Sequence, residues 1–511
     1  MNKHLKIVRV LSALFFFLCL SILFIDFYEF FVFKIKDFVL FFQFMPSVIH
    51  FKNSAVLLSS GFLLILIITF LFGRIYCSIC CPIGILQDIL LRLESFFKKR
   101  TFTYRPPFRI RYVFLIIALW ALIFSNMLIY NLLDPFADFG KIMITLFRPV
   151  MIGINNALGS LLETHKIYLL FQTKYPTLNI ASFLFALMYF FLLLIMTAGW
   201  GRLYCNTLCP VGSLLGLISR HALFKISLDK ERCIQCKKCV QICKASCIDL
   251  LTQEADNSRC ISCFNCLRVC PSHCIQYKMA PKNIHEAPFS LGKRFFIQSV
   301  LLNLASFLFF LKPGKSHAAS LSAVKQSPVS PPGSRSLEHL TQNCISCHLC
   351  IGICPSNVLE PALFDYGING IFQPKMNYNR SFCNYECFKC SLICPTGAIE
   401  KISKSEKLAV QMGKAYFYPE KCIVVTNKTD CGACAEICPT HAVRMVPFEN
   451  GLMIPIVDDS YCIGCGACQY ACPALPEKAI LVNGNAIHET ALIRKKIDQP
   501  VNYNARDDFP F

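Results

Sequence analysis

Apolar positions dominate the first 200 residues and form long runs, separated by short polar stretches. Four runs, roughly 8–25, 54–72, 111–133 and 180–198, each approach the ~20 residues a helix needs to cross a bilayer core. They predict four transmembrane helices. Charge orients them: Lys3, Lys6 and Arg9 accompany the first, and Lys98, Lys99, Arg100, Arg105, Arg109 and Arg111 follow the second. The positive-inside rule places both flanks in the cytoplasm. Segments 26–53 and 134–179 carry fewer and more mixed charges and are expected outside, with 38–50, which contains Pro46, forming an interfacial or re-entrant helix.

One motif occurs twice, 128 residues apart. Gly73-Arg74-Ile75-Tyr76-Cys77 through Cys81-Pro82-Ile83-Gly84 returns as Gly201-Arg202-Leu203-Tyr204-Cys205 through Cys209-Pro210-Val211-Gly212. Residues 1–224 therefore read as two copies of one helix-pair unit. Each motif ends an outside-to-inside helix and starts an amphipathic one, with Pro in the first turn and Ile85, Leu86, Ile89, Leu90, Leu93 and Phe97 on one face of the first copy.

The pattern then changes. Residues 225–285 are polar and rich in Cys, and helix counting keeps them cytoplasmic. Within 286–315, Lys293 and Arg294 precede the 17-residue apolar run Phe295–Leu311, followed by Lys312-Pro313-Gly314 and small residues. This is the layout of an export signal inside a chain, and it predicts a fifth transmembrane helix or signal anchor. A Ser/Pro-rich linker is expected at 316–340, a second Cys-rich domain at 341–490 and a polar tail at 491–511. The fold class is thus a multi-span α-helical membrane domain with α+β ferredoxin-like domains. The net charge of +20 does not imply nucleic acid, because the basic residues flank apolar runs and no nucleic-acid-binding motif accompanies them.

The 32 cysteines carry the candidate chemistry. In C-x-x-C-x-x-C, three thiolates wrap three corners of a 4Fe-4S cube, and a fourth Cys further on, usually followed by Pro, serves the neighbouring cube. Six runs fit. Cys233, Cys236, Cys239, Cys243 and Cys260, Cys263, Cys266, Cys270 form a pair in which Cys270 should complete the first cube and Cys243 the second. The later domain holds Cys344, Cys347, Cys350, Cys354; Cys383, Cys387, Cys390, Cys394; Cys422, Cys431, Cys434, Cys438; and Cys462, Cys465, Cys468, Cys472. Each of these four runs ends in Cys-Pro. Cys383 to Cys387 and Cys422 to Cys431 are wider than the standard step, so those first ligands come from longer loops. Asn450-Gly451 between apolar segments predicts a hairpin. Zinc sites or disulfides do not require repeated triplets with a trailing Cys-Pro. Cys344 to His348 also reads as a c-type haem motif, yet it is embedded in a full cluster run.

Eight cysteines remain. Cys247 and Cys274 lie four residues past a run, where Ala398 and Ala442 stand in two others, and read as buried filler. Cys19 falls mid-membrane, and Cys80 matches Leu208 in the repeat. Cys77, Cys81, Cys205 and Cys209 differ, because the repeat brings two equivalent pairs to one membrane face at helix N-termini. They are candidates for a further metal centre or for a structural turn with buried thiols.

The two G-R-x-Y-C-x-x-x-C-P motifs followed by a two-cluster domain resemble the membrane ferredoxin family of periplasmic nitrate reductase systems (NapH-type) and the ferredoxins of nitrous oxide reductase activators. The part from Lys293 onward resembles the exported four-cluster ferredoxins (NapG-type) and their methylamine-utilisation relatives, so the chain looks like a fusion. Gly292-Lys293-Arg294-Phe295-Phe296-Ile297-Gln298 approaches a twin-arginine signal, with Lys293 in place of the first Arg. The flavin domain of the nitrous oxide activators is absent. The resemblance implies an inner-membrane electron carrier with six 4Fe-4S clusters that takes electrons from the quinone pool and delivers them to a periplasmic redox partner. Asp26, Glu29, His50 and Asp134 are then the candidate proton acceptors. An assembly or maturation factor, using the thiol pairs to reduce or handle a metal, is the alternative.

Overall fold

The first apolar run contains neither Gly nor Pro, and in the computed structural model it folds as one helix, α1 (Asn2–Ile25). The structure describes residues 2–54, 60–97, 100–176, 179–279 and 327–493. The apolar run 295–311, residues 316–326 of the linker and the tail from 494 lie outside the described residues; the rest of the expected linker is no flexible spacer, since Val329, Ser330 and Ser334 are buried and a helix begins at Leu337. After α1 come α2 (Val32–Phe41) and α3 (Phe44–Ser54), broken at Phe42 and Gln43 where one re-entrant helix is expected. The motif repeat is plain in the structure. Helix α4 (Gly61–Phe72) leads into the short α5 (Tyr76–Ile79) and amphipathic α6 (Pro82–Phe97). Further on, α11 (Ile180–Trp200) leads into α12 (Leu203–Thr207) and α13 (Pro210–Arg220).

Among the described residues, three helices are long and apolar enough to cross a membrane: His4–Ile25, Pro135–Thr164 and Ile180–Trp200. Two of the expected spans come out shorter. The run 54–72 yields a described helix of 12 residues. The run 111–133 is split into α7 (Ile110–Ile123) and α8 (Leu128–Leu133). Ser125 adopts φ +54° and Asn126 Oδ1 accepts from the Leu128 amide, turn chemistry hidden in an apolar stretch. The chain folds back there, and Tyr130 Oη donates to the Ala118 carbonyl at 2.6 Å.

Segment 134–179 differs in the other direction. Placed outside on charge, it holds the 30-residue stretch Pro135–Thr164, built from α9 (Pro135–Ile142), a π turn at Met143–Phe147 and α10 (Arg148–Thr164). Two of its charges, Asp138 and Lys141, are hidden as an ion pair of 3.0 Å with side chains 0% and 1% exposed.

The residues from 224 to 279 form a small domain in which β1 (Phe224–Leu228) pairs antiparallel with β4 (Ile275–Met279), enclosing a β2–β3 hairpin (Ile248–Asp249, Glu254–Ala255) and α14 (Lys238–Gln241) and α15 (Asn265–Val269). The later domain carries three antiparallel pairs: β5 (Leu359–Pro361) with β6 (Pro374–Met376), β7 (Val410–Phe417) with β10 (Ile480–Thr490), and β8 (Val443–Pro447) with β9 (Met453–Val457). The β8–β9 turn has Asn450 and Gly451 at φ +54° and +78°, the hairpin expected from the dipeptide.

These two domains cap opposite ends of the helix bundle. At one end, Leu5 of α1 packs into the small domain's core, Tyr277 Oη donates to the Phe72 carbonyl, Arg111 meets Ser258 Oγ, and the Arg202 amide donates to the Lys244 carbonyl. At the other, Lys389 pairs with Glu29 at 2.7 Å, Asn53 donates to the Thr396 carbonyl, Asn131 to Asn369, and Asn179 to Pro361. Helices α1, α4, α7 and α11 therefore run between the ends in alternating directions.

Candidate functional site

The regular cysteine runs share one backbone device. The residues just before and just after the second Cys are left-handed: Gln235 and Lys237, Ser262 and Phe264, Ser346 and His348, Gly464 and Gly466. Alternating handedness turns successive amides toward one hollow, which suits an anion. The amide of Ser346 donates to Cys344 Sγ, that of Ile399 to Cys394 Sγ and that of Ala479 to Cys472 Sγ, each at 3.4 Å. The wide run at Cys383 lacks this pattern.

The hollows themselves show how the runs combine. One hollow is lined by Cys243, Cys260, Cys263 and Cys266, and another by Cys233, Cys236, Cys239 and Cys270. The last Cys of each run has crossed to the other, as the two-cluster rule requires. The same crossing recurs in the later domain. A third hollow is lined by Cys422, Cys431, Cys434 and Cys472, and Cys438 lies with Cys462, Cys465 and Cys468. Cys394 lies with Cys344, Cys347 and Cys350, and Cys354 with Cys383, Cys387 and Cys390. Burial pushes the bare Cys344 and Cys465 thiols up to about 12, so thiolates form there only opposite a positive metal core. All 32 cysteines are free of disulfides. His348 Nε2 donates to the Phe372 carbonyl at 3.1 Å in a buried setting, which leaves Cys344 to His348 as part of a cluster loop and not a haem site.

Cys247 and Cys274 are buried, as expected, but they do more than fill space. Each lines a cavity, with Sγ 3.5 Å from Cys243 Sγ and 3.3 Å from Cys270 Sγ respectively.

Cys77, Cys81, Cys205 and Cys209 meet inside the bundle, each 2–3% exposed. The surrounding contacts are reciprocal. Arg74 Nη2 donates to the Cys205 carbonyl and Arg202 Nη1 to the Cys77 carbonyl, both at 3.0 Å. Gly84 and Gly212 admit these crossings, since a Cβ at either would run into the opposite guanidinium. Arg202 also pairs at 2.8 Å with Asp88, which holds Arg9 and Lys244 as well. The arginines were visible in the repeated motif, but sequence assigned them no role. Nor did it single out Asp88, Asp138 or Lys141.

The expected proton acceptors are placed in structural contacts. Asp26 accepts from the Phe31 and Val32 amides, Asp134 caps α9 at the Ala137 amide, Glu29 pairs with Lys389, and His50 lies near Gly397.

Comparison with known proteins agrees with this chemistry. A 4Fe-4S binding domain family matches residues 54–101 and 182–229, a 4Fe-4S dicluster domain matches 429–475, and another 4Fe-4S binding domain family matches 230–246 and 341–367. Fold and site define an iron–sulfur electron-transfer protein with several ferredoxin-type 4Fe-4S domains. Over 175 residues, 33% of its length and 75% of the relative's, the chain is 31% identical to the methylamine utilization ferredoxin-type protein MauM of Methylophilus methylotrophus. It is 26% identical over 146 residues, 28% of its length and 80% of the relative's, to the ferredoxin-type protein NapF of Escherichia coli. The chain belongs to the MauM family of ferredoxin-type proteins.

Proposed function

We propose that the protein is a membrane-bound polyferredoxin that moves single electrons through six 4Fe-4S cubes, from quinol to a periplasmic redox partner. In this reading it is a NapH-type membrane ferredoxin fused to a four-cluster ferredoxin. The crossed sets of four cysteines are the ligands, and bound cubes supply reversible one-electron storage at potentials set by burial and hydrogen bonds to sulfur. Each quinol yields two electrons and two protons. The electrons leave one at a time along the cubes, and the protons pass to water outside.

The observation that carries the proposal is the placement of cluster loops at both ends of the bundle. Helix α1, with 24 residues, packs Leu5 into the small domain, and Glu29, four residues past its end, pairs with Lys389 of the later one. At ~1.5 Å per residue it spans about 36 Å, enough for a hydrocarbon core of about 30 Å. Its outward residues Ile7, Leu11, Leu14, Phe15 and Leu18 are exposed, as are Leu184, Met188, Phe191 and Ile195 on α11, and lipid is the medium that would cover them. The chain must also pass from Met279 at one end to Ser327 at the other, which supports a fifth crossing at 295–311.

A reporter active only outside the cytoplasm, fused after Phe511 and separately near Pro281, tests this. Activity at the C-terminal fusion alone is expected. Silence at both positions would put all six cubes on one side and sink the proposal.

A further inference from the structure

We propose that Cys77, Cys81, Cys205 and Cys209 together ligate a seventh iron–sulfur cluster inside the helix bundle, between the cubes of the two capping domains. The proposal rests on the electron-relay reading for its purpose, though not for its chemistry.

A cube takes four thiolates. The two matches to a 4Fe-4S domain family at 54–101 and 182–229 each contain only one C-x-x-x-C-P motif, so neither repeat completes a site alone. The fold brings the two motifs together. Among the described residues no three His, Cys, Asp or Glu side chains converge tightly enough for one metal ion. The cysteine cages of the ferredoxin domains give the same result. Four buried thiols supply the number of ligands a cube takes.

Charge supplies a second, independent argument. Arg74 and Arg202 are 1% and 0% exposed, with guanidinium nitrogens 3.8 Å from Cys77 Sγ and 4.0 Å from Cys205 Sγ. Guanidinium stays protonated in proteins, and a buried unpaired charge is expensive. Arg202 has Asp88. The repeat position of Asp88 is Gly216, and the remaining partners of Arg74 are neutral: Asn206 Oδ1 at 2.7 Å, the Ser258 carbonyl at 3.2 Å and the Cys205 carbonyl. Asp88 alone answers Arg9, Lys244 and Arg202. The missing counter-charge is an anion at the thiols, and a cube with four thiolates is one.

Position gives the cluster its use. Ser258 lies two residues before Cys260, Lys244 follows Cys243, and Ser262 Oγ donates to the Phe72 carbonyl, so the loops of one cube rest on both Gly-Arg turns. On the far side, Tyr204 Oη donates to the Leu133 carbonyl, and α9, which begins two residues on, packs Gly140 against the Cys347 carbonyl. Tunnelling weakens exponentially with distance, so a centre here shortens a long gap into two steps. It accepts one electron from the cube on one side and gives one to the cube on the other, with no bond or proton changed over the cycle.

The test is iron and acid-labile sulfide per chain, with Mössbauer spectra, on the full-length protein purified anaerobically. Seven cubes predict about 28 iron, and the Cys77→Ser/Cys205→Ser variant should lose about four iron and four sulfide while keeping the ferredoxin signals. A smaller cluster would show as about two of each lost, and would also support the proposal. Equal iron and sulfide in variant and native protein would overturn it, as would loss of a mononuclear metal only. If the variant does not accumulate, the native count decides: about 24 iron would refute the seventh centre. That failure would leave the topology result untouched, so the two readings fail separately.

Discussion

Replacing Lys141 by Met should destabilise the protein far more than removing Lys141 and Asp138 together. The ammonium and carboxylate are 3.0 Å apart and almost wholly enclosed, and Lys141 also donates to the Asn131 carbonyl. Its charge lies 5.1 Å from the Phe185 ring centre and 5.6 Å from that of Phe372, which belongs to the later Cys-rich domain. Taking away the cation leaves Asp138 buried without its partner, a loss of about 3–5 kcal/mol. The ring contacts add about 0.5–2 kcal/mol. In the Asp138→Leu/Lys141→Met variant both charges go and apolar groups of similar size replace them, so stability should return to within about 1–2 kcal/mol of the parent. Unfolding in detergent of the parent, both single variants and the double variant closes a mutant cycle, with a coupling of about 2 kcal/mol or more expected. Additive losses would refute the reasoning. So would a double variant that is stable but can no longer pass electrons to the later domain, because the pair would then do more than hold α9 in place.

The remaining predictions concern the cubes. Cys270→Ser should alter the same electron paramagnetic resonance signal as Cys239→Ser, and Cys243→Ser the same one as Cys266→Ser; a shared signal for Cys239 and Cys243 would contradict the crossed ligation. Cys247→Ala and Cys274→Ala each remove a thiol that can donate to a ligand sulfur. The neighbouring cube's midpoint potential should fall, since hydrogen bonds to sulfur favour the reduced, more negative cluster. A bond of about 1 kcal/mol corresponds to about 40 mV for one electron. Unchanged potentials in redox titration would return both residues to the role of filler.

Cluster runs are legible in sequence because spacing alone fixes which loop can wrap a cube. The crossing of Cys270 and Cys243 follows from the same constraint, and the turn at Asn450-Gly451 from the left-handed backbone it needs. Helix limits are less legible. Ser125 and Asn126 are outvoted by the apolar residues around them in any hydropathy reading, yet they reverse the chain. Asp138 and Lys141 mislead in the opposite sense: as separate charges they mark a segment as exposed, and only their pairing makes the stretch compatible with burial. Arg74 and Arg202 show a different limit, since their meaning depends on a partner 128 residues away that the repeat places but does not describe.

The two repeats share a motif but differ around it, and the difference fixes how the first ferredoxin domain sits. At the Asp88 position the second copy has Gly216, where an added Cβ would lie 2.6 Å from the Ser258 carbonyl. Only glycine lets that carbonyl reach Arg74. In the first copy, Asp88 instead holds Lys244, the residue after Cys243, and Arg9 of α1. One repeat thus fastens the loop before Cys260 and the other fastens the loop after Cys243. Both contacts belong to the crossed set of Cys243, Cys260, Cys263 and Cys266, which is turned toward the bundle. The companion set keeps Cys236 exposed and faces away. A symmetric pair of repeats would have no reason to prefer either cube. The substitution of Gly for Asp gives the proposed relay its order on this side: the outer cube meets solution, and the inner cube meets the four thiols.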